Sequence, residues 1–152
     1  MDFAKQRRFM ETSKVLLDLA SSEEAKELVK RIRNGKARQV KADGLCGSSA
    51  ALLLAGMMSK RGNFPNMMVV MNDLDDAGYM YHALTQMMGE GQVLFLPSSY
   101  KRAIKYGQKD AGNEILRTEV LSRLQKGDAL CVVTYPDALA EKVVSGKELS
   151  TH

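Results

Sequence analysis

From Ala37 onward the chain alternates short apolar runs with longer stretches in which apolar residues return every three or four positions. Such alternation predicts strand, turn and helix in repeating units, and therefore an α/β domain with a parallel sheet. The first unit is a short strand near Arg38–Ala42, the turn Gly44-Leu45-Cys46-Gly47-Ser48-Ser49, and an Ala/Leu/Met helix over about residues 49–60. The second has the strand Met67–Met71, then Asn72-Asp73-Leu74-Asp75-Asp76 opening a helix to about Met88. The third strand is Val93–Leu96, stopped by Pro97 and followed by an irregular polar stretch to Gly112. A helix over Asn113–Gln125, closed by Gly127, leads to the strand Ala129–Thr134 and a last helix from Pro136 to about Val144, with proline in its first turn.

Ahead of Ala37 the pattern is helical only. Residues 2–19 predict a weakly amphipathic helix. Residues 22–34 predict a stronger one, with Ala25, Leu28, Val29 and Ile32 at i, i+3, i+4 and i+7. Ser21 and Glu24 have capping-box spacing at its start, and Gly35 supplies the stop. The expected organisation is an N-terminal helical extension over 1–36 and an α/β domain over 37–152. Four strands make a thin sheet for a doubly wound domain, which points to a piece of a longer protein.

The length of 152 residues suffices for one core without staples, and 45% apolar with 26% charged residues is an ordinary globular composition. No apolar run approaches the ~20 residues of a membrane span, and acids stand among the bases of the first twenty residues, unlike a signal peptide. A cytoplasmic protein with no membrane partner is expected. Cys46 and Cys131 are far apart and His82 and His152 share no motif with them, so no metal is expected and both cysteines read as small buried hydrophobes. The methionines at 57, 58, 67, 68, 71, 80, 87 and 88 read as gap-filling core residues.

The net charge of +4 is uneven: residues 44–99 are acidic, both flanks basic. Arg7, Arg8, Lys30, Arg31, Arg33, Lys36, Arg38 and Lys41 would attract phosphates, but Glu23, Glu24 and Glu27 lie among them at ion-pair spacing, which favours a solvated helix face.

Gly44 to Ala51 has the layout of a phosphate loop, where backbone amides and a helix start converge on an anion. A working triphosphate loop reads G-x-x-x-x-G-K-[ST], the lysine reaching the β/γ-phosphates and the hydroxyl holding Mg²⁺. Here Ser49 stands at the last glycine, Ala50 at the lysine and Ala51 at the hydroxyl. The expectation is a vestigial loop of Gly44, Gly47, Ser48, Ser49, Ala50 and Ala51 that binds no cofactor. Asp73, Asp75 and Asp76 resemble a Mg²⁺-binding acid after a strand, but helix capping explains them as well. No nucleophile stands beside a base, so no catalytic residue is expected.

Taken in order, Asp43 to Leu53, Met68 to Met71, Val93 to Tyr100, Asn113 to Arg117 and Leu130 to Leu139 resemble the N-terminal part of the bacterial transcription-repair coupling factor, over roughly residues 37–145. The resemblance is to its helicase-like domain, homologous to a domain of the excinuclease B protein of nucleotide-excision repair. It implies a degenerate P-loop NTPase/helicase-like three-layer fold, whose loop has lost ATP while the absent motor domains of the parent carry ATP and Mg. It further implies a non-catalytic scaffold packed against neighbouring domains of the parent, an ATP-dependent DNA translocase that displaces stalled RNA polymerase and recruits the excinuclease A protein of the repair machinery. The aromatic hairpin with which the excinuclease B protein probes damaged DNA would follow the third strand; only Tyr100–Gly112 stands there, so direct damage probing is not expected. The alternatives are a small nucleotide-dependent enzyme or switch using the Gly44 loop, and a nucleic-acid-binding module using Lys101, Arg102, Lys105 and Lys109 in weak contact with DNA.

Overall fold

The computed structural model describes residues 22–34, 39–59, 66–100, 110–128 and 130–143, with Lys14 and Asp18. Lys14 and Asp18 are helical; the rest of the helix expected over 2–19 lies outside the described residues. The chain divides into two compact units, Met1–Phe64 with Gln86–Gly89, and Pro65–Thr85 with Glu90–His152.

In the first unit, α1 spans Glu23–Arg33 and α2 spans Ser49–Ser59. The N-cap of α1 is Ser22, whose Oγ accepts from the Ala25 N–H at 3.2 Å, one residue later than the capping box predicts. This start puts Glu23 and Glu24 in the first turn, where the positive end of the helix dipole favours them. Of the bases expected to pair, Arg31 meets Glu27 at 3.0 Å along the exposed face, and Lys26, outside that expected set, pairs with Glu23 at 2.7 Å. Helix α2 is apolar on every side, and its Ala51, Ala55 and Met57 are buried. The strand expected near Arg38–Ala42 does not form: Gln39 to Ala42 have no regular structure. Val40 is half-buried while Gln39, Lys41 and Ala42 are exposed, so a single apolar anchor has no neighbouring strand to pair with.

The second unit is built on a three-stranded parallel sheet in the order β1-β3-β2, with β1 at Met67–Val70, β2 at Val93–Phe95 and β3 at Cys131–Thr134. Met67 and Val93 both register with Cys131, so the strands start level. Every residue of the central strand is buried, as a parallel strand covered on both faces requires. Its one hydroxyl, Thr134 Oγ1, donates to the Leu96 carbonyl at 2.9 Å.

Helix α3 (Leu74–Met88) connects β1 to β2, and α4 (Ala111–Gln125) connects β2 back to β3. The two crossovers run in opposite directions along the sheet, so a common right hand puts their helices on opposite faces. The contacts agree. Tyr81 of α3 stacks on Phe95 with ring centroids 5.4 Å apart, whereas Val120 and Leu124 of α4 pack on Leu94, Leu96, Leu130 and Val132, whose side chains point the other way. Beside them on the α4 side, Met68 and Val70 of the edge strand stay half-exposed, so Met68 is not the core residue its composition predicts. The fold is thus an α/β arrangement with a small parallel sheet, and no described helix is long and apolar enough to cross a membrane.

The last helix, α5, covers only Pro136–Ala140, shorter than its apolar pattern predicts. It stops because Glu141 turns extended, at φ −77° and ψ 139°, and sends its side chain back to the end of β2.

Leu130→Ala, at a fully buried site within the α4-side core, is expected to lower stability by roughly 2–5 kcal/mol in urea denaturation. Ile115→Ala, 69% exposed on the outer side of α4, is expected to change it by no more than about 0.5 kcal/mol.

Candidate functional site

Residues 44–49 form a tight glycine turn. Gly44 and Gly47 both lie in the left-handed region, at φ 82° and 55°, where a side chain is strained. The Ser49 N–H donates to the Cys46 carbonyl at 3.1 Å, and the Ser49 Oγ accepts from the Cys46 N–H at 2.8 Å. Ser49 therefore closes the turn on itself and occupies the Cys46 amide. Ala50 is half-buried and Ala51 is buried, and neither offers a cation or a hydroxyl. Cys46 is exposed at the tip of the turn, contrary to the buried position expected of it. With its neighbours committed to the turn, its side chain has no core to enter.

A groove of about 520 Å³ runs beside this loop, walled by Ala25, Leu28, Val40, Leu45 and Leu52. Arg31 and Lys41 at its rim are paired with Glu27 and Asp43, each at 3.0 Å. Such exposed pairs contribute little stability, but they compete with any anion for the two cations.

Of the acids after β1, Asp73 caps α3, and Asp75 and Asp76 lie in its first turn. Asp73 Oδ1 accepts from the Asp76 N–H at 2.9 Å, and Asp76 Oδ2 accepts from Asn72 Nδ2 at 3.0 Å. Among the described residues no group of three His, Cys, Asp or Glu side chains is arranged to hold a metal.

A third cluster joins residues that sequence spacing does not connect. Beyond β2, the carboxylate of Glu141 accepts from the Ser98 hydroxyl, from the Ser99 N–H at 3.0 and 3.1 Å, and from the Ser99 hydroxyl at 2.6 Å. Arg117, reaching out of α4, places Nη1 3.6 Å from the same carboxylate and donates from Nη1 to the carbonyls of Pro97 at 2.8 Å and Ala138 at 3.0 Å. Both side chains of the pair are largely buried, 8% and 13% exposed. Tyr135 OH accepts from the Ser98 N–H at 2.9 Å, and Asn113 Nδ2 donates to the Ser98 carbonyl at 2.8 Å. Burial alone would raise the Glu141 carboxyl; the hydrogen bonds from Ser98 and Ser99, with the Arg117 charge, outweigh it and hold the group below the usual carboxylate range.

Sequence spacing missed this cluster because Ser99 and Glu141 are 42 positions apart. One signal was present: Asn113, Arg117, Val120 and Leu124 share a helical stripe, and an arginine on an apolar stripe demands a buried partner. The basic residues Lys101, Arg102, Lys105 and Lys109 lie outside the described residues. No family model, curated protein or solved structure matches the chain.

Because the folded-state pKa of Glu141 lies below its unfolded value, its stabilisation is complete above the unfolded value of about 4.3 and is lost as pH falls through the folded one. Urea midpoints measured from pH 7 down to 3 are expected to fall more steeply in the natural chain than in Glu141→Gln. Burial pushes the Cys131 thiol up to about 11. A thiol reagent at pH 8 is therefore expected to label exposed Cys46 in the folded chain, and Cys131 only after denaturant is added.

Proposed function

We propose that this chain is a non-catalytic scaffold domain of a transcription-repair coupling factor, a helicase-like domain whose phosphate loop has degenerated. In this reading the parent is the ATP-dependent DNA translocase that displaces stalled RNA polymerase and recruits the excinuclease A protein. Its ATP and Mg²⁺ belong to motor domains outside this chain, which packs against neighbouring domains. The observation that carries the reading is the Ser49 hydroxyl bonded to the Cys46 amide, in a loop where Ala50 and Ala51 replace the cation and the metal-holding hydroxyl.

The sheet supports it. Parallel strands with crossover helices on both faces are what a helicase-like core needs, and Asp73, the first acid after β1, serves as a helix cap. In the Ser98–Arg117–Glu141 cluster the hydroxyls donate to the Glu141 carboxylate and tie the end of β2 to the end of α5.

The groove beside the Gly44 loop is the observation on the side of the other reading, a small nucleotide-dependent enzyme or switch, since its volume suits a small ligand. Calorimetric titration with ATP and Mg²⁺ separates the two. No saturable binding is expected below millimolar ATP, and micromolar binding would overturn the scaffold reading. Direct contact with DNA through Lys101, Arg102, Lys105 and Lys109 is expected to be weak, with any retardation of duplex DNA lost when salt rises to about 0.2 M.

A further inference from the structure

The backbones of Ser98 and Ser99 and the guanidinium of Arg117 are each held by something other than Glu141. Ser98 is fixed on both sides of its backbone, by Tyr135 OH on its N–H and by Asn113 Nδ2 on its carbonyl. Ser99 is fixed through its carbonyl, which accepts from the Asp110 N–H at 2.7 Å. Arg117 is fixed by two carbonyls, those of Pro97 and Ala138. Removing the carboxylate would leave the Ser99 N–H and the Arg117 guanidinium in place and free the two hydroxyls to donate to another anion, at the C-terminal ends of the strands, where open α/β sheets take their ligands.

The carboxylate does not use all of the pocket. Arg117 Nη2 is buried and has no partner among the described residues, and the whole Arg117 side chain is 8% exposed. A buried guanidinium donor left bare is costly, and a carboxylate has only two oxygens, both already engaged by Ser98, Ser99 and Arg117 Nη1. A phosphate group brings at least three acceptor oxygens and more negative charge. It would engage the donors of Ser98 and Ser99 and also supply an acceptor for Nη2.

We propose that Ser98, Ser99 and Arg117 form a phosphate-binding pocket that this chain fills with its own Glu141, so that phosphate and Glu141 compete for one set of donors. Glu141 follows α5 directly, so phosphate entry would unhook the stretch that continues from Glu141 to Val143. The proposal concerns the second unit alone and stands whether or not the Gly44 loop binds nucleotide.

The test is a phosphate titration of the 152-residue chain and of Glu141→Gln, which keeps the volume of the side chain but removes its charge. Inorganic phosphate is expected to shift the Ser99 amide resonance of Glu141→Gln saturably, with an affinity at least tenfold above that of the natural chain. The shift should be lost in Glu141→Gln/Ser99→Ala. Ribose 5-phosphate, as a second arm, distinguishes a phosphate monoester from free phosphate by which of the two saturates at lower concentration; either supports the pocket. If Glu141→Gln fails to fold, saturable recovery of its melting transition by phosphate, with none from chloride at equal ionic strength, supports the proposal equally. An equal response to chloride, equal phosphate affinity in the natural chain and the variant, or no saturable response would overturn it.

Discussion

Burial of β3 on both faces is the constraint that organises the second unit. A strand with Cys131, Val132, Val133 and Thr134 all buried cannot leave a peptide group unpaired, so its backbone must find strands on both sides. It finds β1 and β2, both parallel, and parallel pairing cannot be closed by tight hairpins. Helical crossovers are then obligatory, and because β3 is the last of the described strands and central in the sheet, the two run in opposite directions and cover opposite faces. The division of labour between Tyr81 on Phe95 and Val120 on Leu94 and Val132 follows from that order.

The same order brings the ends of β2 and β3 side by side, with Pro97 to Ser99 beside Tyr135 and the short helix after it. Buried backbone at a strand end needs partners that a sheet no longer supplies. Arg117 satisfies two carbonyls there, and Glu141 satisfies the Ser99 amide and compensates the arginine's charge. A buried ion pair gains little over well-packed apolar residues, but it is strongly disfavoured to remove one partner. The pair thus fixes where α5 ends and which way the chain leaves it, a positional role that an apolar contact would fill less specifically.

Much of the second unit was legible in the sequence because its signals are local. The apolar runs of β1, β2 and β3 and the periodicity of α3 and α4 each identify an element within a residue or two of its observed bounds. That no strand forms near Arg38–Ala42 was not legible, since a short run becomes a strand only with a neighbour, and Val40 alone among Gln39 to Ala42 finds any cover. The Gly44 turn was readable as glycine chemistry followed by alanine at positions 50 and 51. Its closure by the Ser49 side chain needed coordinates, because a serine at a helix start caps in many geometries. The Ser98–Arg117–Glu141 cluster depends on contacts across the fold, which periodicity does not report. Arg117 on an apolar stripe announced a partner without naming it.

On this account the units differ in what they contribute. The first contains a glycine turn closed by the Ser49 side chain, with alanine at positions 50 and 51. The second is a rigid parallel core whose stability is centred on one strand. Native-state hydrogen exchange tests that centre most directly. The amides of Cys131–Thr134 are expected to exchange only through global opening, with a free energy equal to that of complete unfolding. Exchange of β3 through a smaller, local opening, while α3 and α4 stay protected, would contradict the account.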